Sequence, residues 1–348
     1  MTDISHIDAP HDSAGERLPG LVAHEGLDEV EACMVHLAVG SRLDRLGRMV
    51  QEHLNGGGRR IRARLALAAA EALGVSRSAS LGWAAACELL HNAALIHDDL
   101  QDGDRVRRGY PSLWARHGAA QAVNAGDLLL MLPTLALERL DIDDARRWRL
   151  ARAIASRAER AVRGQALELD LVGRRRLDWH AWAIAAEGKS GALLALPVEG
   201  AAILAGLAMP SVNLLAGAFA QFGLLYQIHD DVLDLWGDKG REQRGNDLRE
   251  GKPSAVVATH LELHPGDLED VVAVLEKPRA QTTDEEVEAL TRRFEVGGAL
   301  KVVGERIAML ESRVLEDPVL KAVPNLHGLA EELVTQLRGG APTAVGRF

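Results

Sequence analysis

Two short acidic strings are the residues of this 348-residue sequence best suited to chemistry. Residues 96–102 read IHDDLQD, and residues 228–234 read IHDDVLD. On a helix, residues i, i+1 and i+4 project from nearly the same side, so each string predicts three carboxylates at one end of a helix face. These are Asp98, Asp99 and Asp102 in the first string, and Asp230, Asp231 and Asp234 in the second.

Carboxylates placed so closely repel one another, and the apolar flanks CELLHNAALIHDDL and FGLLYQIHDDVLDLW strengthen that repulsion. A hard divalent cation removes the conflict, since Mg²⁺ takes oxygen ligands and typically joins one or two carboxylates to substrate phosphates. A single string of this kind could be a solvated acidic surface. Two strings with the same apolar lead-in favour Mg²⁺ binding and, with it, a phosphorylated ligand.

Basic residues flank both strings and indicate that the ligand is a diphosphate. Arginine's planar fork suits phosphate oxygens, and a glycine-rich backbone can approach an anion closely. Taken alone, each basic residue reads as a solvated surface charge, whereas together they predict an anion site for two diphosphates. They are Arg59, Arg60 and Arg62 in GGGRRIR, Arg107 and Arg108 in RVRRG, Lys189 with Ser190 in EGKSG, and Lys252 in REGKPS.

The elements that must hold these residues are helices. The sequence is 47% hydrophobic but only 3% aromatic, and it is rich in Ala and Leu, which have the best helix propensities. The alternating patterns of strands are scarce. Helices are predicted over 80–102, 119–139 with a kink at Pro133, 142–172, 179–206, 210–236, 267–276, 284–315 and 326–338. The polar, glycine-rich stretch over 237–253 is typical of either a functional lid or a disordered segment.

Composition limits the class of protein. We expect one helical domain over 25–340, between a flexible N-terminal arm at 1–24 and a polar tail at 341–348. Two cysteines give no disulfide framework, the first residues lack a signal-peptide pattern, and no uncharged run is long enough to span a membrane. The net charge of −10 argues against nucleic acid as a partner. We therefore expect a soluble, cytoplasmic protein.

Several of these strings, at their spacing, resemble the motifs of the trans-isoprenyl diphosphate synthases, the polyprenyl synthetase family. GGRRIRA is similar to the family's GGKRxRP, LLHNAALIHDDLQDGDRVRRG to its first aspartate-rich motif, and NAGDLLL to AGDxLL. KSGALL stands where KTxxL is common, and YQIHDDVLDLWGD with GNDLREGKPS resembles the second aspartate-rich motif and its trailing lysine segment. Agreement across so many spaced elements is far more specific than any one motif.

The resemblance implies an all-α bundle around a deep central cavity, assembled as a homodimer. It implies three Mg²⁺ ions on an allylic diphosphate, held by Asp98, Asp99, Asp102, Asp230 and Asp231, with Asp234 behind them. The allylic diphosphate or its metals would contact Arg107, Lys189, Ser190, Gln227 and Lys252, with Lys189 among the catalytic residues. Isopentenyl diphosphate would bind to Arg59, Arg62, His91 and Arg108.

The loop after the second aspartate-rich motif departs from the family pattern. GDKGREQRGND has no lysine in register with the family's GKxG, and Arg244, or Lys239 from an earlier turn, would take its place. The departure bears on how the loop closes over the diphosphate rather than on the reaction.

The implied reaction is ionisation of the allylic diphosphate, attack by the double bond of isopentenyl diphosphate, and loss of a proton. In the family, bulk at the fourth and fifth positions before the first aspartate stops growth at fifteen carbons. Here those positions hold Ala94 and Ala93, which predicts a product of twenty carbons or longer. Ala94, Leu90, Cys87 and Trp83 form one stripe that reaches about 22 Å from the aspartates, although simple core packing accounts equally well for Trp83.

Two other functions share some of these features. A class I terpene cyclase uses the same ionisation on a similar fold, but it usually replaces the second DDxxD and lacks the isopentenyl diphosphate site. A non-catalytic partner subunit of another synthase should tolerate the loss of aspartates, and none is lost here. Both DDxxD strings and the arginines of GGRRIR and RRG favour the synthase.

Overall fold

The protein is described by a computed structural model over residues 25–40, 44–237 and 244–340. The predictions for the arm at 1–24, the tail at 341–348 and Lys239 lie outside these residues. Within these described residues the fold is all-α, as the sequence predicted, apart from one pair of two-residue strands.

Within the described residues, the helices follow one another in this order along the chain. The first seven are α1 (Leu27–Val39), α2 (Arg45–Asn55), α3 (Ile61–Ala72), α4 (Arg77–Gln101), α5 (Leu113–His117), α6 (Ala119–Ala136) and α7 (Asp144–Gly173). The remainder are α8 (Trp179–Ala186), α9 (Ala192–Leu204), α10 (Met209–Trp236), α11 (Asn246–Arg249), α12 (Ala255–Leu263), α13 (Leu268–Leu275), α14 (Asp284–Val296), α15 (Ala299–Leu315), α16 (Pro318–Lys321) and α17 (Pro324–Gly340). Strands β1 (Val106–Arg107) and β2 (Tyr110–Pro111) pair antiparallel between α4 and α5.

Two predicted helices are interrupted, each for a local reason. The segment predicted over 179–206 contains a π-helical turn at Glu187–Gly191, which separates α8 from α9. The segment predicted over 284–315 divides into α14 and α15 at Gly297 and Gly298, where Gly298 has a φ of 80°. Such a left-handed residue ends a helix, and glycine adopts it without steric cost.

The described chain divides into two compact units. Among the described residues, the first unit comprises 25–40, 44–158, 193–217 and 321–329, and the second comprises 159–192, 218–237, 244–320 and 330–340. The single domain predicted over 25–340 stays a prediction.

Helix α4 is the centre of the first unit. It packs against α1, α3 and α6, and its buried side chains include Trp83, Leu89 and Ile96. Gly126 of α6 allows the close contact with α4, because a Cβ there would lie 2.8 Å from Cε1 of the His97 ring. The first acidic string is thus carried on a long helix that is fixed along most of its length.

The second unit is built around α12, which packs against α8, α14 and α15. Its largest buried side chains are the aromatic rings of Trp182, Phe219, Phe222 and Phe294. Helix α12 begins at Ser254, whose hydroxyl accepts a hydrogen bond from the Val257 amide at 3.2 Å. This N-terminal cap fixes the backbone beside the second acidic string.

One described segment, Ala119–Arg139, is long and apolar enough to cross a membrane. It consists of α6 and the 3₁₀ turn that follows it, and 44% of the segment's most apolar window is buried. A buried core helix meets the same criterion, and α6 packs against α2 and α4.

Candidate active site

The first acidic string lies at the C-terminal end of α4. Asp98 is half-buried, Asp99 is buried, and Asp102 caps the helix. The C-terminal end of a helix carries the negative end of its dipole, so carboxylates there are unfavourable unless a cation lies near. The cluster therefore sits where positive charge must compensate for it.

Arg107 supplies part of that charge from β1. Its guanidinium binds the Asp99 carboxylate, and its Nη2 lies 3.9 Å from Asp104 Oδ2. Burial alone would lower the pKa of Arg107, but the hydrogen bond and charge of Asp99 outweigh burial and raise it. The structure thus joins Asp99, which the resemblance assigned to Mg²⁺, to Arg107, which it assigned to the allylic diphosphate or its metals.

The glycine-rich string forms a loop between α2 and α3. Gly57 and Gly58 have positive φ values of 73° and 130°, which glycine adopts readily. Arg108 lies against this loop and donates a hydrogen bond to the Gly57 carbonyl. A Cβ at Gly58 would come within 2.6 Å of Arg108 Nη1. Glycine at this position is what lets the guanidinium approach the backbone.

Arg62 in the first turn of α3 is paired with His91 of α4. Arg62 Nη1 lies 3.1 Å from His91 Nε2, and the guanidinium can only donate, so the ring nitrogen accepts. Burial and then the charge of Arg62 lower the pKa of His91 well below its usual value. At neutral pH, Arg62 therefore keeps its positive charge beside an uncharged partner, an arrangement suited to binding an anion.

His53, near the end of α2, belongs to this group although no motif indicated it. Burial, followed by the charges of Arg107 and Arg108, lowers the pKa of His53 to about 4, while a hydrogen bond with Asn92 opposes the shift. A lone histidine three residues before a glycine-rich loop carries no sequence signal. Its place in this group is recognised only from the residues that surround it in the folded protein.

Arg60 differs from the other arginines of the loop. Its buried side chain donates from Nε to Glu31 Oε1 at 2.7 Å and from Nη2 to the Leu54 carbonyl at 2.5 Å. Its φ of 49° lies in the left-handed region, which is uncommon for a residue with a side chain. The backbone turn directs Arg60 into the interior, whereas Arg59 is exposed.

The second acidic string lies near the C-terminal end of α10. Asp231 is buried, and its Oδ1 accepts from Gln227 Nε2 at 2.8 Å while its Oδ2 accepts from the Ala255 amide at 2.6 Å. Burial and then repulsion from Asp247 raise the pKa of Asp231 well above its usual range, against the effect of these two hydrogen bonds. A nearby cation would stabilise such a carboxylate strongly.

The neighbours of Asp231 occupy different surroundings. Asp230 is half-buried, whereas Asp234 is buried and its Oδ2 accepts from the Asp247 amide at 3.0 Å. The Asp234 carbonyl also accepts from the Gly245 amide at 2.9 Å. Asp234 therefore fixes the N-terminal end of α11 through these hydrogen bonds. Over the described ranges, no three acidic, histidine or cysteine side chains are grouped as a ready-made metal site.

The π-helical turn at Glu187–Gly191 carries two further predicted residues. Lys189 Nζ donates to Glu168 Oε2 at 2.7 Å. Ser190 Oγ donates to Gln227 Oε1 at 2.6 Å. Because Gln227 in turn donates to Asp231, the structure links three of the predicted residues, Ser190, Gln227 and Asp231, into one hydrogen-bonded chain.

The remaining predicted residues lie beyond α10. Lys252 Nζ donates to the buried Glu250 carboxylate at 2.7 Å, and Glu250 also accepts from Arg279 Nη1 at 2.7 Å. Arg244 is exposed, next to Gly245. The roles proposed for Lys252 and Arg244 toward a diphosphate stay predictions.

The stripe predicted to set chain length lies on α4. Ala93, Leu90 and Trp83 are buried, and Ala94 is half-buried. Trp83 Nε1 donates to the Pro197 carbonyl of α9 at 2.9 Å. A Cβ at Gly200 would lie 2.6 Å from Cη2 of the same ring. The indole therefore fills a notch in α9 and is held in one orientation.

Comparison with known proteins agrees with these features. Residues 44–293 match the sequence model of the polyprenyl synthetase family. A (2E,6E)-farnesyl diphosphate synthase of Mycobacterium bovis is 34% identical over 275 residues, which cover 78% of this chain and 74% of that protein. A geranylgeranyl diphosphate synthase of Methanosarcina mazei is 29% identical over 276 residues, which cover 79% of this chain and 83% of that protein.

A solved structure shows the same fold. It is a geranylgeranyl pyrophosphate synthase from Corynebacterium glutamicum, complexed with isoprenyl diphosphate and magnesium. It aligns with a TM-score of 0.75 and 24% identity over 92% of this chain and 98% of that one. The family match includes the glycine-rich loop and both acidic strings. This chain therefore belongs to the polyprenyl synthetase family and is an isoprenyl diphosphate synthase, a trans-prenyltransferase of isoprenoid biosynthesis.

Proposed function

We propose that this enzyme condenses isopentenyl diphosphate with an allylic diphosphate, in a Mg²⁺-dependent reaction, to give a linear trans-polyprenyl diphosphate of twenty carbons or longer. The observation that carries the proposal is the pairing of Arg62 with the neutral His91 beside the glycine-rich loop. This basic group lies in the same unit as the first acidic string but uses different residues. An enzyme that joins the prenyl groups of two diphosphate substrates needs a second anion site of this kind.

The isopentenyl diphosphate would be held by this basic group. Arg62 and Arg108 offer planar guanidinium donors, and the loop at Gly57 and Gly58 allows close approach of an anion to the backbone. Arg59 is exposed at the same loop and would add a third charge. His91 would stay neutral and orient Arg62 rather than transfer a proton.

The allylic diphosphate would be held through the acidic strings and Mg²⁺. Their donor atoms are carboxylate oxygens, and burial and the charge of Asp247 raise the pKa of Asp231, so the residues fit a hard cation. Phosphate oxygens of the substrate would complete the coordination, as is typical where Mg²⁺ joins one or two carboxylates to phosphates. Mg²⁺ when bound would act as a Lewis acid on the departing diphosphate. The ligands would be Asp98, Asp99, Asp102, Asp230 and Asp231.

The side chains around the strings would bind and orient the same diphosphate. Arg107, Lys189 and Lys252 carry positive charge, and Ser190 and Gln227 position Asp231 through hydrogen bonds. The allylic carbon–oxygen bond breaks, a new carbon–carbon bond forms to isopentenyl diphosphate, and one proton leaves. The released diphosphate is the base that we propose for that proton.

The buried Cys87, whose thiol pKa is raised by burial, is unsuited to be a nucleophile.

The product length follows from the small side chains of α4. Ala93 and Ala94 leave room beside the first acidic string, and we propose Trp83 as the far limit of the growing chain. Trp83 is suited to this role because Pro197 and Gly200 fix its ring. The relatives named above include both a farnesyl and a geranylgeranyl diphosphate synthase, so the residues of α4, rather than overall similarity, support the proposed length.

We also propose that the enzyme is a cytoplasmic homodimer. Large apolar side chains are exposed on two helices, Met131 and Leu135 on α6 and Trp148, Val162 and Leu169 on α7. The three residues of α7 are separated by 14 and 7 residues, which are multiples of the seven-residue repeat of paired helices. This repeat supports a helix-to-helix contact with a second copy.

The proposed reaction is tested with purified enzyme, Mg²⁺, isopentenyl diphosphate and, separately, dimethylallyl, geranyl and farnesyl diphosphate. We expect elongation of at least one primer to twenty carbons or more, and no product without Mg²⁺. Cyclic hydrocarbon released from an allylic diphosphate alone would identify a terpene cyclase instead. Absence of any product, with activity regained on adding another synthase chain, would identify a non-catalytic partner subunit.

A further inference from the structure

The π-helical turn Glu187–Gly191 connects α8 to α9 and is rich in glycine. A π turn places one extra residue in the helical path, and such turns occur frequently at functional sites. Here it presents Lys189 and Ser190, both of which bind residues of other helices. The turn is held from two sides, by α7 and by α10.

On the α7 side, the contact is made at Gly164. A Cβ at this position would lie 2.7 Å from the Ala185 carbonyl oxygen and nearer still to the Lys189 amide nitrogen. Ordinary van der Waals contact begins at 3.4 Å, so any side chain here would force the turn away from α7. One helical turn later on α7, Glu168 accepts a hydrogen bond from Lys189 Nζ at 2.7 Å.

On the α10 side, the contact is made at Gly223. A Cβ there would lie 2.5 Å from Gly191 Cα and 2.9 Å from the Ser190 carbonyl oxygen. One helical turn later on α10, Gln227 accepts from Ser190 Oγ at 2.6 Å. After a further turn, Asp231 accepts from Gln227 Nε2 at 2.8 Å.

The two helices therefore hold the turn in the same way. Each presents a glycine against the backbone of the turn and, four residues later, a polar side chain that binds one residue of it. Residues four apart lie on one side of a helix, so the glycine contact sets the distance over which the polar bond forms. The short hydrogen bonds exist because the helices approach within a distance that only glycine permits.

We infer that Gly164 and Gly223 are positioning residues, which place Lys189 and the chain Ser190–Gln227–Asp231 for binding a diphosphate with its Mg²⁺. The inference rests on the proposed function of this site and deepens it. Neither glycine has a side chain with which to bind substrate. Each acts through the π turn, by fixing the geometry of side chains that do.

The principal variants are Gly164→Ala and Gly223→Ala, compared with wild type. Their matched controls are Gly173→Ala on α7 and Gly217→Ala on α10, where an added Cβ meets no atom within 4 Å. The readout is the Kd of inorganic diphosphate at a fixed excess of Mg²⁺, measured by titration calorimetry. We expect the principal variants to raise Kd by about 10- to 100-fold, as loss of residues that support metal ligands does. The controls should match wild type.

A variant with a smaller steric overlap keeps the inference testable if the principal variants fail to fold. A Cβ at Gly191 would lie 3.0 Å from the Ala220 carbonyl oxygen, a smaller overlap than at Gly223. We expect Gly191→Ala to melt near the wild-type temperature and to raise Kd less than Gly223→Ala. In steady-state assays, all three variants should need more Mg²⁺ for half-maximal rate, while the KM for isopentenyl diphosphate stays at the wild-type value.

A double variant separates positioning from general packing. Ser190→Ala breaks the hydrogen-bonded chain, so adding Gly223→Ala to it should raise Kd little further. Fully additive effects on Kd, or unchanged Kd in folded Gly164→Ala, Gly191→Ala and Gly223→Ala proteins, would overturn the inference. A wild-type protein that binds Mg²⁺ and diphosphate but elongates no primer would refute the proposed reaction while leaving this test of the glycines intact.

Discussion

Two neutral histidines stand among the arginines of the candidate isopentenyl diphosphate site. The rings of His53 and His91 are kept uncharged by burial and by neighbouring positive charge. If either ring were protonated, it would repel the guanidinium groups that surround it. Their neutrality therefore keeps the arginines close together without a further unfavourable charge.

This neutrality predicts a pH-dependent stability. The pKa of His53 is about 4 in the folded protein and 6.5 in an unfolded chain, so between these values the unfolded chain binds more protons. The contribution of His53 is full above about pH 6.5 and is lost as pH falls toward 4, by an amount on the order of 1–3 kcal/mol. Urea unfolding of His53→Gln at several pH values should show a flatter pH dependence than wild type.

The exposed His180 provides the matched control for that measurement. His180→Gln should keep the wild-type slope of unfolding free energy between pH 4 and 6.5. Equal slopes for His53→Gln and wild type would show that the His53 ring is not neutral in the folded protein over this pH range.

A second prediction at this scale concerns the histidine of the first acidic string. His97 Nε2 lies 3.5 Å from Asp127 Oδ1, and the ring occupies the space that a side chain at Gly126 would need. Gly126→Ala should displace the ring and destabilise the protein by about 1–3 kcal/mol, the usual cost of overpacking. Thermal unfolding measures the change.

The same substitution in a His97→Ala background should cost much less, because the clashing ring is gone. Additive losses in the double variant would mean that Gly126 is needed for a reason other than room for His97.

At the scale of elements, α4 carries both the first acidic string, which we propose binds Mg²⁺, and the residues that we propose set the product length. The half-buried Ala94 lies one helical turn before Asp98, and the fixed ring of Trp83 lies further along the same helix. Ala94→Phe should shorten the main product to fifteen carbons, because the new ring occupies the path of the growing chain. Chromatography of dephosphorylated products gives the length.

The same change at an exposed site, Ala273→Phe on α13, is the control and should leave the product unchanged. An unaltered product length for a folded and active Ala94→Phe enzyme would contradict this position of the cavity wall.

Much of the helical layout could be predicted from the residues, and the exceptions have local causes. Pattern alone predicted a helix at 80–102, and α4 spans Arg77–Gln101. It missed the π turn, because EGKSGALL reads as ordinary helix and the turn's close contacts are with Gly164 and Gly223, which are distant in sequence. It also missed the break near Gly298, since single glycines are tolerated within helices.

In the candidate site, too, some residues carry a sequence signal and others do not. Motifs predicted the acidic strings, Arg62 and His91 as site residues, because the proposed chemistry demands particular residue types there. They grouped Arg60 with the other loop arginines, although a left-handed backbone directs its side chain to Glu31. They gave no sign of His53, whose importance depends on residues that are near in space but not in sequence.

At the scale of the whole molecule, the exposed stripe on α7 bears on assembly. Val162 is 62% exposed, so Val162→Glu should keep the fold while placing a charge in the proposed contact between copies. Light scattering after size exclusion should give twice the chain mass of 37.5 kDa for wild type and the single-chain mass for the variant.

The matched control is Val296→Glu, since Val296 on α14 is 90% exposed and lies outside the stripe. It should remain dimeric. A monomeric wild type, or a Val162→Glu protein that still dimerises, would exclude this surface as the interface.

The π turn at Glu187–Gly191 also constrains how this part of the chain can change in length. A π turn holds one residue more than an α-helical turn, so deleting one residue would let α8 and α9 fuse into a regular helix. Each residue advances a helix by about 100°, so the deletion would rotate Lys189 or Ser190 away from its partner. Single-residue deletions here should therefore be absent from active relatives, even where substitutions within the turn are tolerated.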